Sequence, residues 1–113
     1  MSRQRSMISI ITPVFNEQDN VEPCARAVAE VMRALPDYDY EHIFADNAST
    51  DETVEALRAL AEVDPHIKVI VNSRNVGPFR NAANAMRSAS GDAVVPMLAV
   101  DLQDPPEVIT QFV

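Results

Sequence analysis

The chain is 113 residues long, 47% hydrophobic and 23% charged, with a formal net charge of −8; this suits one domain, residues 1–113, with a real core, and excludes two domains or a disordered acidic chain. Its two glycines, Gly77 and Gly91, stand against about eight at average usage, so the GxGxxG and GxxxxGK(S/T) phosphate loops are both absent. The acidic balance, with basic residues scattered along the chain, argues against nucleic acid or an anionic membrane as partner.

Residues 7–12 (MISIIT) form a β-branched run ending at Pro13, the pattern of a first strand. Arg3 and Arg5 precede it, but the run is too short for a signal peptide, and no apolar stretch approaches the ~20 residues of a membrane span. Asp19 is placed to cap a helix reaching about Leu35, with Val21, Cys24, Ala25, Val28, Val31, Met32 and Leu35 on one face and Pro36 as its stop. Cys24 is the single cysteine; it has no disulfide partner, suits a reducing compartment, and falls on the buried stripe as an inert packing residue. Residues 40–45 (YEHIFA) predict a second strand. Ser49, Thr50 or Asp51 is placed to cap a second helix, with Val54, Leu57, Leu60 and Ala61 as its apolar stripe. Residues 67–71 predict a third strand, and Pro78 opens a third helix to about Ala89. Gly91 and Asp92 turn into a fourth strand over residues 93–100, and Pro105 and Pro106 are placed to open a fourth helix. The alternation predicts an α/β, Rossmann-like fold: a mainly parallel sheet with helices on both faces and right-handed crossovers.

In such a sheet, ligands bind beyond the carboxyl ends of the strands. Four loops fall there: PVFNE (13–17), DNASTD (46–51), NSRNVGPFR (72–80) and DLQDP (101–105), and they concentrate the polar residues of unusual type. Asp101 and Gln103, two apart after a strand, offer hard oxygen donors suited to Mg2+ or Mn2+; the same segment reads equally well as a strand exit and helix cap. Asp46, at a strand end, is placed to accept N–H groups from a nucleobase edge, while Ser49, Thr50 and Asp51 turn the chain and cap the next helix. Phe15 fits either base stacking or the core, and Glu17 either faces the site or favours the helix start. Arg74 and Arg80 are placed to approach a diphosphate, and Gly77 permits close backbone approach; each arginine fits a solvated surface charge as well. His42 and His66 have no ligand-spaced partners and read as structural.

Taken together, the loops resemble the N-terminal, nucleotide-binding half of a glycosyltransferase family 2 (GT-A fold) catalytic domain. Among its members the chain looks most like polyprenyl-phosphate sugar transferases such as dolichol-phosphate mannose synthases. The carriers are TPVFNE (12–17), DNASTD (46–51), NVG (75–77), ASGD (89–92) and DLQDPPE (101–107). The resemblance implies that Pro13, Phe15, Glu17 and Asp46 hold the nucleobase and ribose. It implies that Asp101, with Gln103, carries a divalent metal across the diphosphate of a nucleotide sugar, and that transfer to the acceptor, for instance a polyprenyl phosphate, inverts the anomeric carbon.

Three departures stand out. Ala99 occupies the first aspartate position of the DXD metal motif. Ala82-Ala83 stand where many relatives carry Arg-Asn, with Arg80 as the nearby substitute. The acceptor half and the usual catalytic base are expected beyond Val113, which makes the chain a truncated fold with an open sheet edge prone to self-association. Such a segment is expected in the cytoplasm or on the cytoplasmic face of a membrane. The alternative is a non-catalytic α/β interaction module. A phosphoacceptor receiver would need an aspartate where Asn72 and Ser73 stand, and a sugar nucleotidyltransferase would need glycines in the first loop.

Overall fold

The computed structural model describes residues 6–95 together with Val100 and Ile109. In chain order the elements are β1 (Ser6–Val14), α1 (Val21–Arg33), β2 (Tyr38–Asp46), α2 (Thr53–Val63), β3 (Ile67–Val71), α3 (Pro78–Met86) and β4 (Ala93–Val95). The strands form one parallel sheet in the order β3-β2-β1-β4. The first two crossovers step outward from β1 and the third returns past it, so right-handed connections set α1 and α2 on one face and α3 on the other. The β1/β4 boundary is therefore the switch point of the sheet.

Alternation along the strands feeds both faces. Ile8 and Ile10 of β1 pack with Val28 and Met32 of α1, while Val14 and Phe44 meet Val21, Cys24 and Leu57. On the other face Ile11, Ile43 and Ala45 pack against Ala85 of α3. Both faces are covered, which is why β1 reads as a continuous apolar run rather than an alternating one.

Several predicted boundaries move. α1 starts at Val21 with Asn20, not Asp19, at its N-cap; the Asn20 amide turns back to the Glu17 carboxylate at 2.6 Å instead of capping. The N-cap position of α2 is Glu52, and Asp51 closes its first turn by accepting the Thr53 amide at 2.9 Å. α3 ends at Met86 rather than near Ala89, because the amides of Arg87, Ser88 and Ala89 bond three residues back and tighten the last turn. The expected fourth strand is described over Ala93–Val95. Ala99, the DLQDP loop and the fourth helix at Pro105 and Pro106 lie outside the described residues.

The turn from α3 into β4 is fixed by packing. A β-carbon on Gly91 would stand 2.5 Å from Ser9 Oγ and 2.7 Å from the Ser9 amide nitrogen. Ser9 Oγ in turn accepts the Gly91 amide at 2.8 Å and donates to the buried Glu41 carboxylate. Glu41 also accepts the Ser90 amide at 2.7 Å and pairs with Lys68.

Candidate functional site

β1, β2 and β3 end on one rung. Val14 is the register partner of Asp46, and Asp46 of Val71. The chain leaves this rung at Phe15, Asn47 and Asn72, so three of the four predicted loops emerge side by side at the carboxyl edge of the sheet.

Asp46 is fully buried at the end of β2. Its two carboxylate oxygens accept from Ser49, one from the amide at 2.9 Å and the other from the hydroxyl. Each oxygen keeps a second lone-pair direction for another donor. Within this tight turn Ala48 is held in the left-handed region, φ +65°, a conformation that costs a residue with a β-carbon about 1–2 kcal/mol.

The first loop is tied to the second. Asn16, also left-handed at φ +52°, accepts the Thr50 amide at 2.8 Å on its side-chain oxygen, and its own amide donates to Ser49 Oγ at 2.9 Å. The Glu17 amide donates to Thr53 Oγ1 at 2.9 Å. These bonds leave Phe15 at 44% exposure, so of its two sequence readings the core one is excluded. Pro13 lies one rung back, opposite Ala45 and half-buried.

The third loop is tied to the second by asparagines. Asn47 is buried and accepts both the Val76 amide at 2.9 Å and the Asn72 side-chain amide at 3.2 Å, while donating to Asn75 at 3.0 Å. Asn75 accepts the Gly77 amide at 2.9 Å. Asn81, 1% exposed, receives the Asn72 amide at 2.8 Å and donates to the Ala45 carbonyl at 2.7 Å. This chain of amides runs from the end of β2 to the start of α3. Sequence reasoning passed over Asn47, Asn72 and Asn81; their signal was asparagine at the strand exits and in the first turn of an otherwise small-residue helix.

Gly77 has φ +86°, the turn that launches α3. Arg74 and Arg80 flank it, both exposed and without an ion pair among the described residues. Asp101 and Gln103 lie outside the described residues; among the described residues no group of three or more His, Cys, Asp or Glu side chains could hold a metal ion. A groove of about 430 Å³ lined by Met32, Tyr38, Tyr40, Asp64 and His66 opens at the opposite edge of the sheet, away from these loops.

Two ionisable groups lie beneath the site. Burial pushes the imidazole of His42 down to about 3, against a small opposing pull from Asp64; its Nε2 pairs with Thr12 Oγ1 at 2.8 Å. Burial pushes the Cys24 thiol up to about 11, partly offset by a hydrogen bond with Thr12. Both are buried and neutral near pH 7.

A family model described as "Glycosyl transferase family 2" matches residues 9–113. An uncharacterized glycosyltransferase of Bacillus subtilis is 36% identical over 93% of this chain and 32% of its own length. A bactoprenol glucosyl transferase of Shigella phage SfV is 38% identical over 94% of this chain and 34% of its own. Among solved structures, a mannosyltransferase from Pyrobaculum calidifontis in complex with GDP-Man and Mn2+ superimposes with a TM-score of 0.78 at 26% identity, over 95% of this chain and 31% of that one. The chain thus spans about a third of the length of the relatives it matches. With its sheet order, its strand-end loops and a family match over nearly all its length, the chain belongs to glycosyl transferase family 2.

Proposed function

We propose that this chain forms the donor-binding segment of an inverting glycosyltransferase that takes a nucleotide-diphosphate sugar with a divalent metal. The observation that carries the reading is the shared rung of Val14, Asp46 and Val71, which gathers three polar loops at the carboxyl edge of the sheet. Asp46, its carboxylate bonded to Ser49, suits holding the loop that meets the N–H edge of a base, and the exposed ring of Phe15 suits stacking beside it. Glu17 and Pro13 border the same place. Arg74 and Arg80, on either side of the Gly77 turn, suit the diphosphate. The mannosyltransferase solved with GDP-Man and Mn2+ supports both ligands.

The donor set fits Mg2+ or Mn2+: the Asp101 carboxylate and the Gln103 amide oxygen are hard ligands, and such ions complete their shell with water and phosphate oxygens. Ala99 contributes none. When bound, the ion would neutralise charge on the departing diphosphate. The chain's own residues hold the base, orient the diphosphate and keep the anomeric carbon open to attack. In the transfer, an acceptor oxygen forms a bond to that carbon from the opposite side while its bond to the diphosphate breaks. A lipid-phosphate acceptor, supported by the bactoprenol and undecaprenyl-phosphate relatives, is already anionic near pH 7. No base from this chain is then required. The reading sits at the cytoplasmic face of a membrane; among the described residues no helix is long and apolar enough to cross one.

Calorimetric titration of UDP and GDP with and without Mn2+ tests the proposal. Binding that Asp46→Ala weakens and whose metal dependence Asp101→Ala removes supports it. A folded chain that binds neither nucleotide at millimolar concentration overturns it. Ala99 favours the second reading, a non-catalytic module of the same fold, which predicts that outcome.

A further inference from the structure

Arg74 and Arg80 make no ion pair among the described residues, and no Asp or Glu lies between Asp64 and Asp92 in the sequence. The side chains that hold the backbone beside them are neutral. Arg74 lies between Asn72 and Asn75, and Arg80 directly precedes Asn81. All three asparagines belong to one chain of side-chain amides. Asn72 donates to Asn81 at 2.8 Å and to Asn47 at 3.2 Å, and Asn47 donates to Asn75 at 3.0 Å. The backbone amides of Val76 and Gly77 donate to Asn47 and Asn75, each at 2.9 Å.

Asn81 anchors this chain of amides to the sheet. It is 1% exposed and lies under α3 with Ala82 and Ala85. Its backbone amide closes the first turn of α3 on the Gly77 carbonyl at 3.0 Å. Its side-chain amide donates to the Ala45 carbonyl at 2.7 Å, and its side-chain oxygen accepts from Asn72. Burying an amide costs free energy unless its polar atoms are bonded, and an apolar side chain would fill the same space without that cost. What the amide adds is direction. Hydrogen bonds weaken steeply when misaligned, so Asn81 fixes the start of α3 at one height over the end of β2, whereas alanine packing alone tolerates sliding.

We infer that Asn81 is a positioning residue for the donor diphosphate: through Asn72 and the first turn of α3 it sets the backbone that carries Arg74 and Arg80. The inference rests on the donor-binding reading above. Neutral amides hold that backbone without pairing with the guanidinium groups, as a carboxylate in the same place would. Both arginines then stay free for an anionic ligand. Ala45 directly precedes Asp46, so the same anchor ties the phosphate end of the site to the strand that carries its base end.

Chemical-shift titration with uridine and UDP, and with guanosine and GDP, in Mg2+ reads the gain in affinity that the diphosphate brings. Asn81→Leu keeps a side chain of similar size and removes the amide. It should lower that gain about five- to tenfold and leave nucleoside affinity unchanged. Arg80→Gln should cost less in the Asn81→Leu background than in the wild-type chain, because the two act on one interaction. Asn72→Ala, at a half-buried position, cuts the same bonds from the loop side and should reproduce the effect if Asn81→Leu does not fold, which thermal melting checks. Equal losses for nucleoside and diphosphate, or an unchanged gain in the folded variants, overturn the inference while the donor-binding reading stands. A folded wild-type chain that binds neither diphosphate overturns that reading and the inference with it.

Discussion

The side-chain oxygen of Asn47 accepts the backbone amide of Val76 at 2.9 Å, across 29 positions of sequence. That oxygen also takes the Asn72 amide, so one buried side chain sets the third loop against the second. Asn47→Ala should cost about 1–3 kcal/mol by leaving both donors unpaired. It should also remove hydrogen-exchange protection from Val76 and weaken nucleotide binding. Asn47→Asp keeps both acceptors and should recover most of the protection. Protection unchanged in the alanine variant would refute the clamp.

His42 makes stability fall with pH. Its folded value, about 3, lies below its ordinary 6.5, so the unfolded chain binds the proton first. The stability it contributes is full above pH 6.5 and is lost as pH falls towards 3, at up to about 1.4 kcal/mol per pH unit. His42→Gln should flatten denaturation midpoints between pH 6.5 and 4.5, where carboxylates contribute little.

Glu41 adds a second limb at lower pH. Burial alone would raise its carboxyl, but Lys68, Ser9 and Ser90 outweigh that and bring it from 4.5 to about 2. Its contribution is present above pH 4.5 and lost as pH falls through 2. Glu41→Gln should therefore destabilise the chain at pH 7 by on the order of 2 kcal/mol, with a smaller effect in denaturant titrations near pH 2.

Gly91→Ala should destabilise by roughly 1–3 kcal/mol or more. The added methyl meets the Ser9 backbone and hydroxyl, in a strand that cannot withdraw. Gly77→Ala meets no atom within 4 Å and should cost only its positive-φ backbone, φ +86° and ψ 156°, about 1–3 kcal/mol. Urea denaturation of the two variants separates crowding from strain.

Cys24 should react slowly with iodoacetamide in the native chain at pH 8. Its thiol, held near 11 and fully buried, is almost wholly protonated. Denaturant should accelerate alkylation by orders of magnitude. Rapid native alkylation would mean that α1 opens readily.

What the sequence determined by itself was whatever depends on period and local chemistry. The β-branched runs at residues 7–12 and 67–71 and the 3.6-residue stripe through Cys24 and Met32 named the elements. The strand-then-polar-loop order named the edge where a site would lie, and the ordered loop motifs pointed to the family. Tertiary structure decided what distant residues do for one another. Asn47, Asn72 and Asn81 carried no local signal of their role, because their partners lie 9 to 36 positions away. Asp19 read as a cap, because the competing Asn20–Glu17 bond is invisible to propensity.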